Sequence, residues 1–120
     1  MGVFVFILSH ILFCLIAIAS FSGTIVVLTL TLQFKRLDAY FWNCAITIDQ
    51  TGNVFAEYPL NFFLIQRKSK DRFGNPDETI SSVLGKNKQT NNFKLFGYCL
   101  DRILHKIDNN HSIKSIEEDE

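Results

Sequence analysis

The chain opens with a long apolar run, and every Lys, Arg, Asp and Glu residue lies behind that run. His10 and Cys14 carry the only ionisable side chains of residues 1–34, and the first charge is Lys35. An uncharged apolar run well beyond 18 residues predicts a membrane-spanning helix, and one crossing takes about 20 residues. The turn-like stretch at residues 20–23 leaves too few apolar residues behind it for a second crossing. We therefore expect residues 1–34 to form one tilted transmembrane anchor.

A cleaved signal peptide is the main alternative for this segment. Ala17, Ile18 and Ala19 have the small-x-small form of a signal peptidase site. However, no Lys or Arg precedes the apolar run, and the run continues beyond this point, so we favour an uncleaved anchor. Lys35 and Arg36 follow directly, and the positive-inside tendency would hold them in the cytoplasm. The C-terminal part of the chain is therefore expected to be cytoplasmic.

Residues 35–116 are predicted to form a small membrane-proximal domain of about three short helices, so that the whole fold is mainly α. Residues 117–120 are four acidic residues and predict a solvated tail, because like charges repel one another. A core of this size supplies only a few kcal/mol of stability, which favours additional contact with a membrane, a partner or a second copy.

The first helix of this domain is predicted over residues 37–50, with Gly52 as its stop. The apolar segment at residues 54–65 is too short for a second membrane span, and it contains Glu57 and Pro59. We expect this segment to be an irregular or strand-like insert.

The strongest local pattern lies between Gly74 and Gly85. Asn75 is a good N-cap, Pro76 suits the first helical position, and Glu78 occupies the acidic position of a capping box. Gly85 would end the helix. Its inward-facing residues are predicted to be Ile80, Val83 and Leu84. Asp77 and Glu78 could also form a carboxylate pair for metal or acid-base chemistry, but adjacent helical residues point apart, so we favour the capping role.

A final helix is predicted after Asn91 or Asn92, either of which can act as its cap. Apolar residues recur at intervals of three and four and predict a core-facing stripe: Phe93, Phe96, Leu100, Ile103 and Ile107. Acidic and histidine residues on the other side could build a metal or acid-base site, namely Asp101, His105 and Asp108, with His111. A solvated helix face is the interpretation we favour.

Two groups of residues are candidates for contact with a membrane surface. Aromatic residues follow the first basic pair at Tyr40, Phe41 and Trp42 and are typical of an aromatic belt at headgroup depth. Basic residues follow the apolar insert at Arg67, Lys68, Lys70 and Arg72 and suit an anionic leaflet. Ordinary helix packing and a solvated loop are the respective alternatives. Nucleic acid is not expected, since the chain has no net charge and Asp71 dilutes the basic cluster.

Three stretches resemble a group of small uncharacterised proteins of tailed bacteriophages and prophages. These are I-D-Q-x-G-N at residues 48–53, G-N-P-D-E-T-I-S-S at residues 74–82, and D-x-x-H at Asp108 and His111. In the resembling proteins a Cys often follows the His, whereas Ser112 stands here. The resemblance covers roughly residues 38–116 and does not include the N-terminal span. It implies an origin in a mobile element and supplies no mechanism.

Three functions from different classes are compatible with these patterns. We favour a small single-pass membrane-anchored accessory protein, which binds the bilayer and a membrane-protein partner or a second copy. A holin-like or lysis-linked membrane protein and a metal-dependent enzyme are the alternatives. The chain has no H-E-x-x-H or G-x-S-x-G motif, no phosphate-binding glycine loop, and no paired cysteine framework among Cys14, Cys44 and Cys99. We therefore predict no catalytic residue, cofactor, metal or small-molecule substrate.

Overall fold

A computed structural model describes the backbone of residues 1–109 and 111–119 and the side chains of these residues up to Ile116. This described part of the chain contains six helices and no strand, apart from an isolated bridge between Ile65 and Phe93. The mainly α fold with a long apolar N-terminal helix is therefore confirmed. The helices are α1 (Gly2–Leu30), α2 (Phe34–Phe55), α3 (Glu57–Phe63), α4 (Ile80–Gln89), α5 (Leu95–Ile107) and α6 (His111–Asp119).

The chain divides into two compact units, Met1–Asn43 and Cys44–Glu120. The first contains α1, which has no buried residue and would be about 44 Å long. By length and composition α1 can cross a membrane, and a signal sequence would have the same properties. The hydroxyls of Thr24 and Thr31 donate to the carbonyls of Ser20 and Val27 at 2.8 and 2.7 Å, as expected of threonines in an apolar helix. The helix ends before Leu32, whose φ is +56°.

The predicted stop at Gly52 is wrong, because α2 continues to Phe55. A Cβ at Gly52 would lie 3.2 Å from the Cδ1 atom of Ile80, so this glycine permits a close approach to another segment. The next residue, Asn53, is fully buried and bonds to distant backbone. Long-range contacts therefore extend the helix through a sequence that favours a turn.

The irregular or strand-like insert at residues 54–65 is also wrong, since most of it is the end of α2 and the short helix α3. Pro59 is the third residue of α3. The first-turn amides of a helix have no intrahelical partner, so a proline there costs no hydrogen bond. The segment ends at Leu64 and Ile65, both of which are buried in the core.

The helix predicted after Asn75 begins later and ends later than expected. Thr79 is the N-cap of α4, and its side chain accepts a hydrogen bond from the Ser82 amide at 3.0 Å. Gly85 does not end the helix; it is buried in the middle of α4, where an added Cβ would lie 2.0 Å from the Ser112 carbonyl oxygen of α6. The prediction that Val83 and Leu84 face inward is correct.

The core of the second unit is small and is built from α3, α4, α5 and the segments between them. Its buried members are Leu64, Ile65, Phe73, Val83, Leu84 and Phe93, with Leu60, Ile80, Leu100 and Leu104 packed against them. The predicted cap of α5 is wrong: Lys94 occupies that position and makes no side-chain cap bond.

The apolar stripe predicted for α5 is only partly directed at this core. Leu100 contacts the core, whereas Phe96, Ile103 and Ile107 are 61%, 55% and 78% exposed. A sixth helix, α6, was not predicted, and the described chain therefore has five helices after α1 rather than about three. The prediction of a solvated tail at residues 117–120 concerns side chains that lie outside the described ones.

Candidate functional site

Asn53 connects α2 to the loop that precedes α4. Its side-chain amide donates to the carbonyls of Asn75 at 2.9 Å and Glu78 at 2.8 Å, and its carbonyl oxygen accepts from the Gly74 amide at 3.0 Å. Gly74 has a φ of +115°, which a residue with a Cβ rarely adopts. One fully buried side chain therefore satisfies three backbone groups of an otherwise irregular turn.

Further bonds join the same two segments. The Asp49 carboxylate accepts from the Ser81 hydroxyl at 3.0 Å, and the Gln50 amide lies 3.5 Å from the Asp77 carbonyl oxygen. The stretches at residues 48–53 and 74–82, which the sequence singled out separately, are thus direct structural partners.

Asn75, Pro76, Asp77 and Glu78 form the turn itself and not the first turn of a helix. The Asn75 side chain accepts from the Asp77 amide at 3.2 Å and donates to the Glu78 carboxylate at 3.2 Å. Glu78 also forms an ion pair with Lys86 at 3.3 Å. The two carboxylates therefore do not converge: Asp77 is exposed, and Glu78 is held by its neighbours.

Two more asparagines hold the connection between α3 and α4, residues 64–79. Asn61 both donates to and accepts from the backbone of Phe73, at 2.9 and 3.0 Å. Asn87 is fully buried and donates to the carbonyls of Asp71 and Val83 at 2.7 and 2.9 Å. The predicted basic residues Arg67, Lys68, Lys70 and Arg72 lie on this connection, and all four are exposed. The connection therefore exposes these four cations on a backbone that Asn61 and Asn87 hold by hydrogen bonds.

The acidic and histidine residues considered for a metal site are divided between two small clusters. Asp101 is buried against Lys88 at 2.9 Å and Ser112, whose hydroxyl donates to it at 2.6 Å. His105 is exposed. Within the described side chains, no three His, Cys, Asp or Glu residues come close enough to hold one metal ion.

Asp108 lies between α5 and α6 and binds two residues of α6. Its carboxylate lies 2.8 Å from the Lys114 ammonium and 3.3 Å from Nδ1 of His111. Hydrogen bonds from Lys114 and then His111 hold the pKa of the Asp108 carboxyl below its ordinary value of 3.8. Asp108 thus follows α5 and His111 begins α6, and Ser112 next to it is buried against Gly85 and Asp101.

The aromatic residues predicted as a membrane belt lie in the first unit. Tyr40 and Phe41 pack against Phe21 of α1, with ring centroids 5.9 and 6.2 Å apart. Trp42 is 51% exposed. Lys35 and Arg36 are exposed as well, and Arg36 donates to the Gln33 side chain at 2.7 Å. Two of the three predicted belt residues, Tyr40 and Phe41, thus pack against another ring of the first unit.

The sequence pattern does not predict an exposed apolar surface on α3 and α5, because its periodicity directs the α5 stripe to the core. We call it the aromatic face and define it as Phe62, Phe63, Leu95, Phe96, Ile103 and Ile107, each more than half exposed. The rings of Phe62 and Phe63 are 4.9 Å apart, and those of Phe63 and Phe96 are 6.2 Å apart, so the two helices contribute to one surface. The signal that could have identified it is the presence of apolar residues on two sides of α5.

Comparison of the chain with protein-family models, curated proteins and solved structures finds no match.

Proposed function

We propose that the protein is a small single-pass membrane-anchored accessory protein, in which α1 spans the bilayer and the second unit binds another membrane component. The observation that carries the proposal is α1, an uncharged helix of 29 residues with no buried side chain. A helix of this composition needs an apolar environment, and a bilayer core about 30 Å thick supplies one for its whole central part.

The proposed orientation places the second unit in the cytoplasm. Lys35 and Arg36 come directly after the apolar run, and residues 1–34 contain no Lys or Arg. Basic residues next to a span tend to remain on the cytoplasmic side. The N-terminal end of α1 would then lie on the opposite side of the membrane.

The buried polar side chains of the second unit support a binding role rather than a catalytic one, because they hold its backbone or form an ion pair. Asn53 and Asn87 are fully buried and hold backbone, while Asp101 is paired with Lys88. Six large apolar side chains of α3 and α5 are more than half exposed, and extensive exposed apolar surface marks an interaction site. The resemblance of residues 48–53 and 74–82 to phage and prophage proteins supports an origin in a mobile element.

Alkaline carbonate extraction of membranes from expressing cells, followed by mass measurement, tests the anchor. We expect the full chain of 13.8 kDa to remain in the membrane pellet. The variant with Leu12→Arg and Ile16→Arg should be released, because each charge at the centre of a span costs about 3 kcal/mol. The matched control, Ile103→Arg with Ile107→Arg, places the same charges four residues apart on α5 and should stay in the pellet. Recovery of a shortened chain in the supernatant would show a cleaved signal sequence and overturn the proposal.

A further inference from the structure

The aromatic face carries a charge pattern that restricts what can cover it. Cys99 lies at the centre of the outward side of α5 by helical spacing, and Arg102 and Lys106 lie beside it among the apolar residues. The one carboxylate within α5, Asp101, is buried on the other side and paired with Lys88. The outward side of α5 is therefore apolar and cationic.

A cation also lies against the α3 part of the aromatic face. Lys94 lies 5.2 Å from the centre of the Phe62 ring, and its ammonium donates to the Phe62 carbonyl. The connection that follows α3 exposes four cations: Arg67, Lys68, Lys70 and Arg72. Asp71 in the same connection is half-buried, and Asp108 at the far end of α5 is paired with Lys114. Arg102 and Lys106 are therefore the exposed charges on the outward side of α5, and the only carboxylate of α3, Glu57, is half-buried at its first turn.

A second copy of the chain does not fit this pattern. In a two-fold symmetric contact the same patch meets itself, so Arg102 and Lys106 of one copy would approach the equivalent cations of the other. Burying like charges without a carboxylate to pair them is unfavourable. The surface needs an occupant that is apolar at its centre and anionic at its rim.

We propose that the aromatic face lies in the headgroup region of an anionic bilayer leaflet, with its rings and aliphatic side chains among the upper acyl chains and its cations on the lipid phosphates. Amphipathic helices with Phe and Leu on one side and Lys and Arg at its margins bind membranes in this way. Juxtamembrane cations add an attraction to anionic lipids that salt weakens. This inference rests on the proposed anchor, because a spanning α1 would keep the second unit close to the bilayer. Residues 31–43 connect α1 to that unit along the chain.

The test uses the full chain with Cys14→Ser and Cys44→Ser, reconstituted into vesicles and labelled at Cys99 with the environment-sensitive fluorophore NBD. Cys99 is exposed, so the label requires no repacking of the core. A matched variant has Cys99→Ser and carries the label at Gln89→Cys, an exposed position at the end of α4. Vesicles of phosphatidylcholine with and without phosphatidylglycerol contain lipids spin-labelled near the headgroup as quenchers.

We expect the emission of the Cys99 label to shift to shorter wavelength and to be quenched by the spin-labelled lipid in anionic vesicles. The quenching should be lost at high salt and in the variant with Arg102→Glu and Lys106→Glu, both exposed positions. The label at Gln89→Cys should instead be quenched by aqueous iodide. A Cys99 label that iodide quenches in anionic vesicles would overturn the proposal, because the face would then be in water.

A second copy or another protein on the aromatic face gives a different result. A Cys99 label shielded from both iodide and the lipid quencher, together with cross-linking of unlabelled Cys99 between two copies, would identify self-association and overturn the lipid proposal. Flotation of the vesicles separates this outcome from failure of the anchor. Protein that floats without lipid quenching contradicts only the inference about the aromatic face, whereas protein that does not float contradicts the anchor.

Discussion

Replacement of Asn53 tests the account of the second unit most sharply, because one side chain holds three backbone groups of the turn before α4. Asn53→Ala removes both donated bonds and the accepted bond, and all of these groups are at least partly buried. A hydrogen bond contributes roughly 0.5–1.5 kcal/mol net, so the three together are worth about 2–4 kcal/mol. This is a large fraction of the stability of a small domain.

Asn53→Asp refines the argument because it preserves the volume of the side chain. The carboxylate can still accept from the Gly74 amide, but it turns an oxygen toward the carbonyls of Asn75 and Glu78, where the amide donated. We expect it to be at least as destabilising as Asn53→Ala. Asn109→Ala, at an exposed turn position, is the control and should change stability by less than about 0.5 kcal/mol.

Thermal unfolding of the full chain in a mild detergent, followed by near-ultraviolet circular dichroism, measures these effects. For a domain of this size, a loss of 2–4 kcal/mol lowers the midpoint by about 8–30 °C. Hydrogen exchange of the Gly74 amide should accelerate in parallel. An Asn53→Ala midpoint equal to that of the Asn109→Ala control would refute the role assigned to Asn53.

The remaining predictions concern four other positions and use the same unfolding assay. The Ser81 hydroxyl donates to the Asp49 carboxylate, so Ser81→Ala should lower stability by about 1–2 kcal/mol. The buried Ser82 hydroxyl has no partner among the described residues, so Ser82→Ala should raise stability by up to about 1 kcal/mol. Gly85→Ala should lower stability by at least about 2 kcal/mol, because its Cβ would meet α6 backbone at 2.0 Å, whereas Gly23→Ala has no neighbour within 4 Å and should be neutral. Because folding lowers the pKa of Asp108, its ionised carboxylate stabilises the fold at pH values above its ordinary pKa of 3.8. This contribution is lost as the pH falls through the lowered pKa, so Asp108→Asn should remove this part of the acid dependence.

Each of these predictions has a result that would contradict it. Equal effects of the two serine substitutions would show that the hydrogen bond to Asp49 does not distinguish them. A neutral Gly85→Ala variant would mean that α4 and α6 do not approach closely at this point. An unchanged acid dependence in Asp108→Asn would assign the transition to another carboxyl group.

The sequence was sufficient for the features that depend on a continuous local pattern. The apolar composition of residues 1–34 predicts a long helix, and Val83 and Leu84 were correctly assigned to the core because they follow a helical period. These signals arise within a few turns of one helix, so no knowledge of distant segments was needed.

The features that the sequence did not predict depend on contacts between distant segments. Asn75 and Pro76 have the chemistry of a helix start, but the Asn75 carbonyl is taken by Asn53, and the helix begins after Thr79. Gly85 has the chemistry of a helix end, but its small size serves the contact with Ser112. In each case the residue type was recognised and its partner, 22 or more residues away, was not.

The two sides of α5 illustrate a different limit of the sequence. Leu100 and Leu104 contact the core, while Phe96 and Ile103 are exposed, although all four are apolar and recur at helical intervals. Periodicity identifies the helix but does not say which of two apolar sides meets the core. That choice is made by Gly97 and Asp101, which are buried on the inner side, since a Cβ at Gly97 would lie 2.3 Å from the Leu64 carbonyl oxygen.

Site-specific labelling with a membrane-impermeant maleimide tests the central claim of an uncleaved anchor most directly. Two variants without native cysteines carry one new cysteine each, Gly2→Cys before the span and Gln89→Cys in the second unit. We expect Gly2→Cys to be labelled on intact cells and Gln89→Cys only after lysis, both on full-length protein in the membrane fraction. Loss of the Gly2→Cys label from a shortened chain would contradict the uncleaved anchor, and labelling of Gln89→Cys in full-length protein on intact cells would contradict the cytoplasmic orientation of the second unit.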